Sequence, residues 1–300
     1  MTAAGSSAVI TAGRPVEGGR RLPLHWVGVV PFSFYVGLFL ILPTVIVGIG
    51  AFLDKDSNLT LANFHLFSQP YVVRSFVQSV FLSIVSALVG AFAGAVFAYA
   101  VVTGNPDGAV RRIVTSASGV LAQFGGVTLA FAFIATIALD GFVTVWLRDR
   151  GINIYPGQVW LFDLPGLVLV YAYFQIPLMV LVFLPALDGI RPQWREATES
   201  LGGSTWHYWR YVAGPLLAPA FLGATLLLFA NSFSAYATAA ALINQGSPLV
   251  TLLIGNLLQS EVGLSDPGQA KVLALGMIVI VSIVMASYAM LQRRTSRWLQ

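Results

Sequence analysis

Residues 187–220 read LDGIRPQWREATESLGGSTWHYWRYVAGPLLAPA and separate two long apolar runs. This segment is too polar to cross a lipid bilayer. Helix-compatible turns at residues 196–201 are followed by a break at Gly202 and Gly203. Ser204 is a candidate N-cap for a second helix that begins near Thr205. The stretch therefore predicts a short helix on the membrane surface, a sharp turn and a return into the membrane.

Six apolar stretches are long enough to cross the hydrocarbon core, which takes about 20 helical residues. None contains Lys, Arg, Asp or Glu, each of which costs at least ~2.5 kcal/mol at the bilayer centre on insertion scales. They cover residues 27–52, 75–102, 113–139, 164–187, 212–243 and 272–292. Pro31 and Pro43 are expected to bend or break the first stretch. The predicted fold class is an all-α integral membrane protein with six transmembrane helices.

Composition excludes several other classes of protein. Hydrophobic residues make up 57% of the 300 residues and charged residues only 9%, with a mean hydropathy of +0.81. Soluble domains carry roughly a quarter charged residues, so lipid must solvate most of this chain. The cations occur in short groups between apolar runs, which argues against nucleic acid as a partner. Absence of cysteine excludes disulfides and thiolate sites.

The distribution of cations predicts that both termini are cytoplasmic, because cytoplasmic loops are enriched in Lys and Arg. In this orientation, eleven cations lie inside: Arg14, Arg20, Arg21, Arg111, Arg112, Arg191, Arg195, Arg210, Arg293, Arg294 and Arg297. Five lie outside: Lys55, Arg74, Arg148, Arg150 and Lys271. We expect cytoplasmic tails at residues 1–26 and 293–300, with the membrane domain at residues 27–292.

The segment between the fourth and fifth stretches resembles the EAA loop of binding-protein-dependent ABC importer permeases, the MetI-like family. That pattern has Glu-Ala-Ala, a Gly six residues after the Glu, nine further residues and then aliphatic-x-x-Pro. The matching residues are Glu196, Ala197, Thr198, Leu201, Gly202, Val212 and Pro215. Thr198 replaces the second Ala, and Gly214 stands where Leu is usual.

The resemblance implies a type I ABC importer transmembrane domain in the cytoplasmic (inner) membrane, with its core at residues 70–290 and a coupling loop at 188–212. Residues 196–202 would form a coupling helix seated in a groove of an ATPase, with Glu196 paired to a basic group and Gly202 in the turn. The implied partners are an ATPase dimer, a second homologous permease and an extracytoplasmic solute-binding protein. The alternative is an ordinary amphipathic surface helix that ends in a glycine cap.

The sequence lacks the motifs of an enzyme. Neither of its two lysines, Lys55 and Lys271, stands in a G-x-x-x-x-G-K-[ST] phosphate loop. His25, His65 and His207 show no metal-ligand spacing. We therefore expect no cofactor in this chain, with ATP and Mg²⁺ on a partner ATPase. The other class of protein considered is an ion-coupled secondary transporter, but such proteins usually carry intramembrane acids or histidines, which these stretches lack.

Polar residues inside the stretches are candidates for a substrate path. They are Gln175, Asn231, Ser234, Tyr236 and Thr238. Asn231, Ser234 and Thr238 follow an i, i+3, i+7 spacing, which would place them on one face of a continuous helix. Such residues line pores, but they also join helices inside membrane bundles.

The cargo is predicted from resemblance alone. The fifth stretch, with FANSFSAYATAAAL, and the C-terminal segment are most similar to the first permease of spermidine/putrescine importers. Permeases for aminoethylphosphonate, thiamine, ferric ion and sulfate share much of the pattern. A polyamine is therefore the expected solute, with these other solutes as alternatives.

Overall fold

The computed structural model describes residues 25–54, 58–105, 108–157, 159–243, 249–259 and 267–296. Most of the predicted N-terminal tail and the end of the C-terminal tail therefore lie outside the described residues. Residues 25–26 and 293–296, which were assigned to the tails, lie within helices.

Thirteen α-helices are present in the described part of the chain. They are α1 His25–Val36, α2 Leu42–Gly50, α3 Pro70–Val102, α4 Ala109–Leu121, α5 Gly126–Ile137, α6 Phe142–Arg148, α7 Leu164–Asp188, α8 Pro192–Ser200, α9 Thr205–Tyr208, α10 Gly214–Ser234, α11 Ala237–Leu242, α12 Val250–Gln259 and α13 Pro267–Ser296. Two π-helical turns, Gly37–Ile41 and Trp209–Ala213, and two 3₁₀ helices, Ala62–Ser68 and Trp160–Phe162, complete the helical structure.

Six helical segments are long and apolar enough to cross a membrane, which confirms the predicted number. They are Val29–Gly50, Pro70–Val102, Gly126–Arg148, Leu164–Asp188, Thr205–Ser234 and Gly268–Met290. Lys271, which was assigned to an outer loop, lies in the first turns of α13. The protein is therefore a multi-pass membrane protein.

The described residues divide into two separate compact units, one up to Ile46 and the other from Val47 onward. In the first unit, Pro31 lies inside α1 without ending it. Pro43 is preceded by the π-helical turn Gly37–Ile41, in which the N–H of Leu42 bonds to the carbonyl of Gly37. Proline has no N–H to donate to the carbonyl four residues earlier. A π turn accommodates this loss because its hydrogen bonds connect residues five apart. The helix therefore continues through both prolines, so they do not break the span, and the alternative expectation that they bend it stays a prediction.

The core of the second unit is the packing of α3, α7 and α10 against one another. Small residues on α3 allow the backbones to approach closely. A Cβ atom at Gly90 would lie 2.6 Å from Cβ of Gln175, and one at Gly94 would lie 2.5 Å from Cβ of Met179. Gly90 and Gly94 are therefore residues of close helix packing.

A second cluster of buried residues joins α5, α7 and α11 to the loop before α7. Leu129, Leu167, Tyr171 and Leu242 are almost fully buried in it. The Tyr155 hydroxyl of that loop donates to the carbonyl of Ile137 at 2.6 Å, and burial raises the pKa of Tyr155. The loop is thus fixed to the end of α5.

The predicted third span, residues 113–139, is broken into α4 and α5 at residues 122–125. Gly126 begins α5 with φ +74°, a backbone conformation that favours glycine. Two consecutive glycines, Gly125 and Gly126, make this change of direction possible. The transmembrane segment of this region is therefore Gly126–Arg148, later in the chain than predicted.

The predicted fifth span, residues 212–243, is also interrupted. Helix α10 ends at Ser234, and Ala235 adopts an extended conformation before α11 begins at Ala237. The Ser234 hydroxyl donates to the carbonyl of Ala230 at 2.9 Å. Hydroxyl groups that bond to their own backbone weaken a helix. Asn231, Ser234 and Thr238, which were expected on one face of a continuous helix, therefore lie where α10 ends and α11 begins.

Candidate functional site

Helix α8 connects α7 to the next membrane segment and contains no buried residue. Pro192 lies in its first turn, where a missing N–H costs little because that group has no partner within the helix. Leu201, directly after the helix, is 89% exposed. An apolar side chain so exposed at the end of an unburied helix is available to a partner surface.

The turn after α8 is held by two backbone hydrogen bonds. Gly203 N–H donates to the carbonyl of Thr198 at 2.9 Å, and Gly202 N–H donates to the carbonyl of Glu199 at 3.0 Å. Gly202 has φ +77°. This arrangement is the Schellman motif, which places glycine in the left-handed region. The expectation that Gly202 permits the tight turn agrees with this geometry.

The two acids of α8 have different surroundings. Glu199 Oε1 accepts a hydrogen bond from Arg195 Nε at 3.0 Å, and this bond and the charge of Glu199 raise the pKa of Arg195. Glu196 is exposed on the helix surface. Its carboxylate therefore faces solvent in the isolated chain and can meet a cationic group of another protein.

Helix α9 begins as predicted at Thr205, with Ser204 as its N-cap. The Ser204 N–H donates to Nδ1 of His207 at 3.3 Å, and the Ser204 hydroxyl lies 2.8 Å from the same nitrogen. His207 therefore closes a capping box. The sequence pattern gave no sign of this role of His207.

A π-helical turn, Trp209–Ala213, joins α9 to α10. Pro215 lacks the N–H that would bond to the carbonyl of Tyr211, and the Gly214 N–H bonds instead to the carbonyl of Trp209. A Cβ atom at position 214 would lie 2.4 Å from that carbonyl oxygen. Gly214, which departs from the family pattern, is therefore required by the close approach of Trp209.

An ion pair links α4 to the start of the loop. Arg111 Nη2 donates to Asp188 Oδ2, and the side chains are 22% and 38% exposed. Asp188 is the last residue of α7 and lies four positions before α8. The pair thus fixes the base of the loop to α4. The sequence did not predict this ion pair, because Arg111 and Asp188 are 77 positions apart and local patterns report only on neighbouring residues.

The two helix breaks face each other across a cavity of about 310 Å³. Gly126 N–H donates to Thr238 Oγ1 at 2.9 Å, so the start of α5 is held by α11. The Tyr171 hydroxyl donates to the carbonyl of Ala235 at 3.0 Å, at the end of α10. Backbone groups freed by the breaks therefore find partners inside the protein, as a lipid environment requires.

Four of the five candidate path residues line this cavity, together with Gln123. They are Asn231, Ser234, Tyr236 and Thr238. Asn231 and Tyr236 are exposed, whereas Thr238 is only 3% exposed. The prediction that Asn231, Ser234 and Thr238 share one helical face is wrong, because the chain leaves the helix between Ser234 and Thr238. The tertiary structure brings them together instead.

Gln175, the fifth candidate, lies outside the cavity lining and is fully buried. Its Nε2 donates to Ser86 Oγ at 3.2 Å and to Ser232 Oγ at 3.0 Å, and the two hydroxyls are 2.6 Å apart. Its Oε1 has no partner among the described residues. Gln175 therefore joins α3, α7 and α10, which is the alternative role of polar residues in a membrane bundle. Close packing at Gly90 encloses it.

Comparison with known proteins identifies the family. Residues 151–297 match the family model "Binding-protein-dependent transport system inner membrane component". Residues 151–297 belong to this family of MetI-like ABC importer permeases. The protein is therefore located in the cytoplasmic membrane, and the matched region includes α8, the π-helical turn and α10.

Curated relatives agree with this assignment. The thiamine transport system permease protein ThiP of Escherichia coli (strain K12) is 30% identical over 161 residues, which is 52% of this chain and 28% of the relative. The probable sulfate transport system permease protein cysT of Chlorokybus atmophyticus is 25% identical over 208 residues, 67% of this chain and 66% of the relative. The chain thus spans less than two thirds of these relatives.

Solved structures show the same fold. A bacterial ABC transporter involved in the import of the acidic polysaccharide alginate has a TM-score of 0.70 at 16% identity, covering 91% of this chain and 95% of that chain. The MetNI methionine ABC transporter, in inward facing conformations, has a TM-score of 0.56 at 14% identity, covering 75% and 95%.

Thr238→Val is expected to destabilise the protein, because it leaves the N–H of Gly126 without its acceptor. Because this hydrogen bond is only partly buried, its loss is expected to cost about 0.5–1.5 kcal/mol. The measurement is thermal unfolding of the purified full chain in detergent. Thr128→Val is the matched control, since Thr128 is exposed on α5. Equal unfolding midpoints for the two variants would contradict the proposed bridge between the helix breaks.

Proposed function

We propose that this permease forms one half of the transmembrane path of an ATP-driven importer, and that α8 is its coupling helix. The observation that carries the proposal is α8 itself, a helix without buried residues whose two ends are fixed to membrane segments. Asp188 anchors the segment before it, and the Schellman turn and capping box fix the segment after it. Such a helix transmits force only when another protein holds it.

The partner that holds α8 is proposed to be an ATPase subunit with a groove for the helix. Leu201 would enter an apolar part of that groove, and Glu196 would pair with a basic group. Thr198 and Ala197 are short enough to let the helix approach a facing surface. ATP and Mg²⁺ would bind to the ATPase, because the permease sequence has no phosphate-binding loop.

A second homologous permease and an extracytoplasmic solute-binding protein complete the proposed assembly. The alginate transporter has also been solved in complex with a periplasmic protein bound to an alginate pentasaccharide. That precedent supports a binding-protein partner for this chain. In the proposed cycle, closure of an ATPase dimer moves α8 of each permease, and rigid-body rocking turns the path from one side to the other.

The cavity between the helix breaks is proposed as part of the substrate path. All residues that line it are uncharged, and they offer amide, hydroxyl and backbone groups for hydrogen bonding. Weak, neutral contacts suit a path from which the solute must also leave. Selection among charged solutes would then belong to the binding protein.

A small polar solute is the proposed cargo, with a polyamine such as spermidine or putrescine as the first candidate from the resemblance. The relatives reported above are named for thiamine and sulfate, and others for ferric ion and molybdenum. Thiamine, sulfate, ferric ion, molybdate and aminoethylphosphonate are therefore the alternatives.

The cargo can be identified by measuring the thermal unfolding of the cognate solute-binding protein in the presence of each of these solutes. The solute that binds raises the unfolding temperature. We expect a polyamine to stabilise it, by about 2.7 kcal/mol at a concentration one hundred times Kd. Stabilisation by one of the other solutes alone would replace the polyamine and leave the coupling proposal intact.

Cysteine labelling tests the orientation, because the chain has no cysteine of its own. We expect a membrane-impermeant maleimide to label Leu201→Cys only in inside-out vesicles. Ile152→Cys, at a site 53% exposed in the opposite set of loops, should react only in right-side-out vesicles. If Leu201→Cys reacted from outside the cell, no cytoplasmic ATPase could hold α8.

Glu196→Lys is expected to lower uptake at least about tenfold, since losing a buried charge pair at an interface costs 2–5 kcal/mol or more. Gly202→Asp is also expected to lower uptake, because the backbone at Gly202, with φ +77°, favours glycine in the turn that ends α8. Immunoblots should show normal amounts of permease in the membrane. Thr103→Lys is the control for added charge, because Thr103 is exposed at the same predicted side. Normal uptake by both variants would contradict the coupling role.

An ion-coupled transporter remains the second candidate, distinguished by its source of energy. Uptake in vesicles that depends on the ATPase and persists after collapse of the membrane potential would support the importer. Uptake without the ATPase would support the alternative.

A further inference from the structure

The side chain of Tyr236 reaches from the cavity between the helix breaks to helix α12. Tyr236 lines that cavity and is 40% exposed. A Cβ atom at Gly255 of α12 would lie 2.9 Å from Cε2 and 2.9 Å from Oη of Tyr236, and 3.1 Å from its Cζ. None of residues 250–259, which form α12, lines the cavity directly. Tyr236 is thus a side chain through which α12 reaches the cavity wall.

Helix α12 is held in place by the elements on its other sides. The N–H of Val250 donates to Ser79 Oγ of α3 at 3.0 Å, in a buried position. Leu253 and Leu257 pack against a buried cluster that includes Leu273 of α13. These contacts leave α12 little freedom to move away from the ring that rests on it.

The ring of Tyr236 is held less firmly than α12. Tyr236 lies at the break between α10 and α11, directly after the extended residue Ala235. The nearby Tyr171 hydroxyl donates to the carbonyl of Ala235, whereas the Tyr236 hydroxyl makes no hydrogen bond with any residue that the structure describes. Packing alone therefore places the Tyr236 ring, and a change of rotamer can move it.

We propose that Gly255 is a positioning residue for the cavity. Its lack of a side chain lets the Tyr236 ring rest against α12, and this sets the free width of the cavity beside Asn231. The three atoms nearest to a Cβ at Gly255 all belong to the outer end of that ring. Because α12 is held from behind, a methyl group at this position would turn the ring toward the cavity. That solute passes here rests on the proposed function, whereas the control of width does not.

Gly255 differs from the glycines that allow helices to pack closely. A Cβ atom at Gly94 would lie 2.5 Å from Cβ of Met179 and 2.7 Å from the carbonyl oxygen of Ile176. Those atoms belong to the backbone of α7 or lie next to it, so a side chain there would force two helices apart. The tip of Tyr236 is the far end of a side chain with two rotatable bonds. We therefore expect Gly255→Ala to change the cavity and not the helix packing.

Thiol labelling of the purified full chain in detergent tests the proposal. The reporter is Asn231→Cys in the cavity wall, because the chain has no cysteine of its own. The reagents are methyl methanethiosulfonate and the larger benzyl methanethiosulfonate, both uncharged. We expect Gly255→Ala to lower the benzyl rate at least about fivefold, the smallest usual effect of overpacking, and to change the methyl rate much less. Gly119→Ala is the matched control, because a Cβ there meets no atom within 4 Å.

A substitution of the ring shows whether the effect passes through Tyr236. Tyr236→Leu removes the ring tip, so it should raise the benzyl rate when Gly255 is retained and should abolish the effect of Gly255→Ala in the double variant. An equal decrease with and without the ring would mean that Gly255→Ala distorts α12 itself, and this would overturn the proposal. No decrease in either background would also overturn it.

Two further measurements keep the test decisive. Ile152→Cys, exposed and outside the cavity lining, should react at the same rate in every variant. If Gly255→Ala failed to fold, Tyr236→Leu alone would decide, because an unchanged benzyl rate at Asn231→Cys would show that the ring does not limit the cavity. None of these rates depends on uptake, so failure of this proposal and failure of the proposed function are distinguishable.

Discussion

A lipid environment requires that every backbone group freed by a broken helix finds a partner inside the protein. The breaks at residues 122–125 and at 235–236 are placed opposite each other. Thr238 accepts from Gly126 N–H, and Tyr171 donates to the carbonyl of Ala235. The cavity of about 310 Å³ exists because these groups satisfy one another around it. The contacts that satisfy these backbone groups therefore also form the walls of the proposed substrate path.

The proposed coupling loop is not under this constraint, because its polar groups lie outside the membrane segments and can bond to water. Helix α8 buries nothing, and its stability comes from its ends: Pro192 at the start, and the bonds of Gly202 and Gly203 after it. The ion pair of Arg111 with Asp188 and the π-helical turn before α10 connect it to the membrane segments. Movement of α8 would therefore reach α4, α7 and α10 directly.

Between these two regions, buried polar contacts hold the bundle together. Gln175, Ser86 and Ser232 connect α7, α3 and α10 within a close contact that Gly90 permits. Hydrophobic burial alone gives little preference for one helix partner over lipid, whereas hydrogen bonds and close packing of small residues do. These contacts fix the helices that border the cavity.

The sequence by itself determined the features that depend on composition and local spacing: six membrane segments, the helix and turn of the proposed coupling loop, and the cap at Ser204. It placed spans three and five wrongly, because hydropathy does not register where a helix of uncharged residues stops. It also grouped Gln175 with Asn231 and Thr238, since polarity alone cannot distinguish a buried bridge from a cavity wall. Only the tertiary structure decided that Gln175 is enclosed, that Arg111 meets Asp188 and that Gly126 meets Thr238. These contacts join residues far apart in the chain, so no local pattern could specify them.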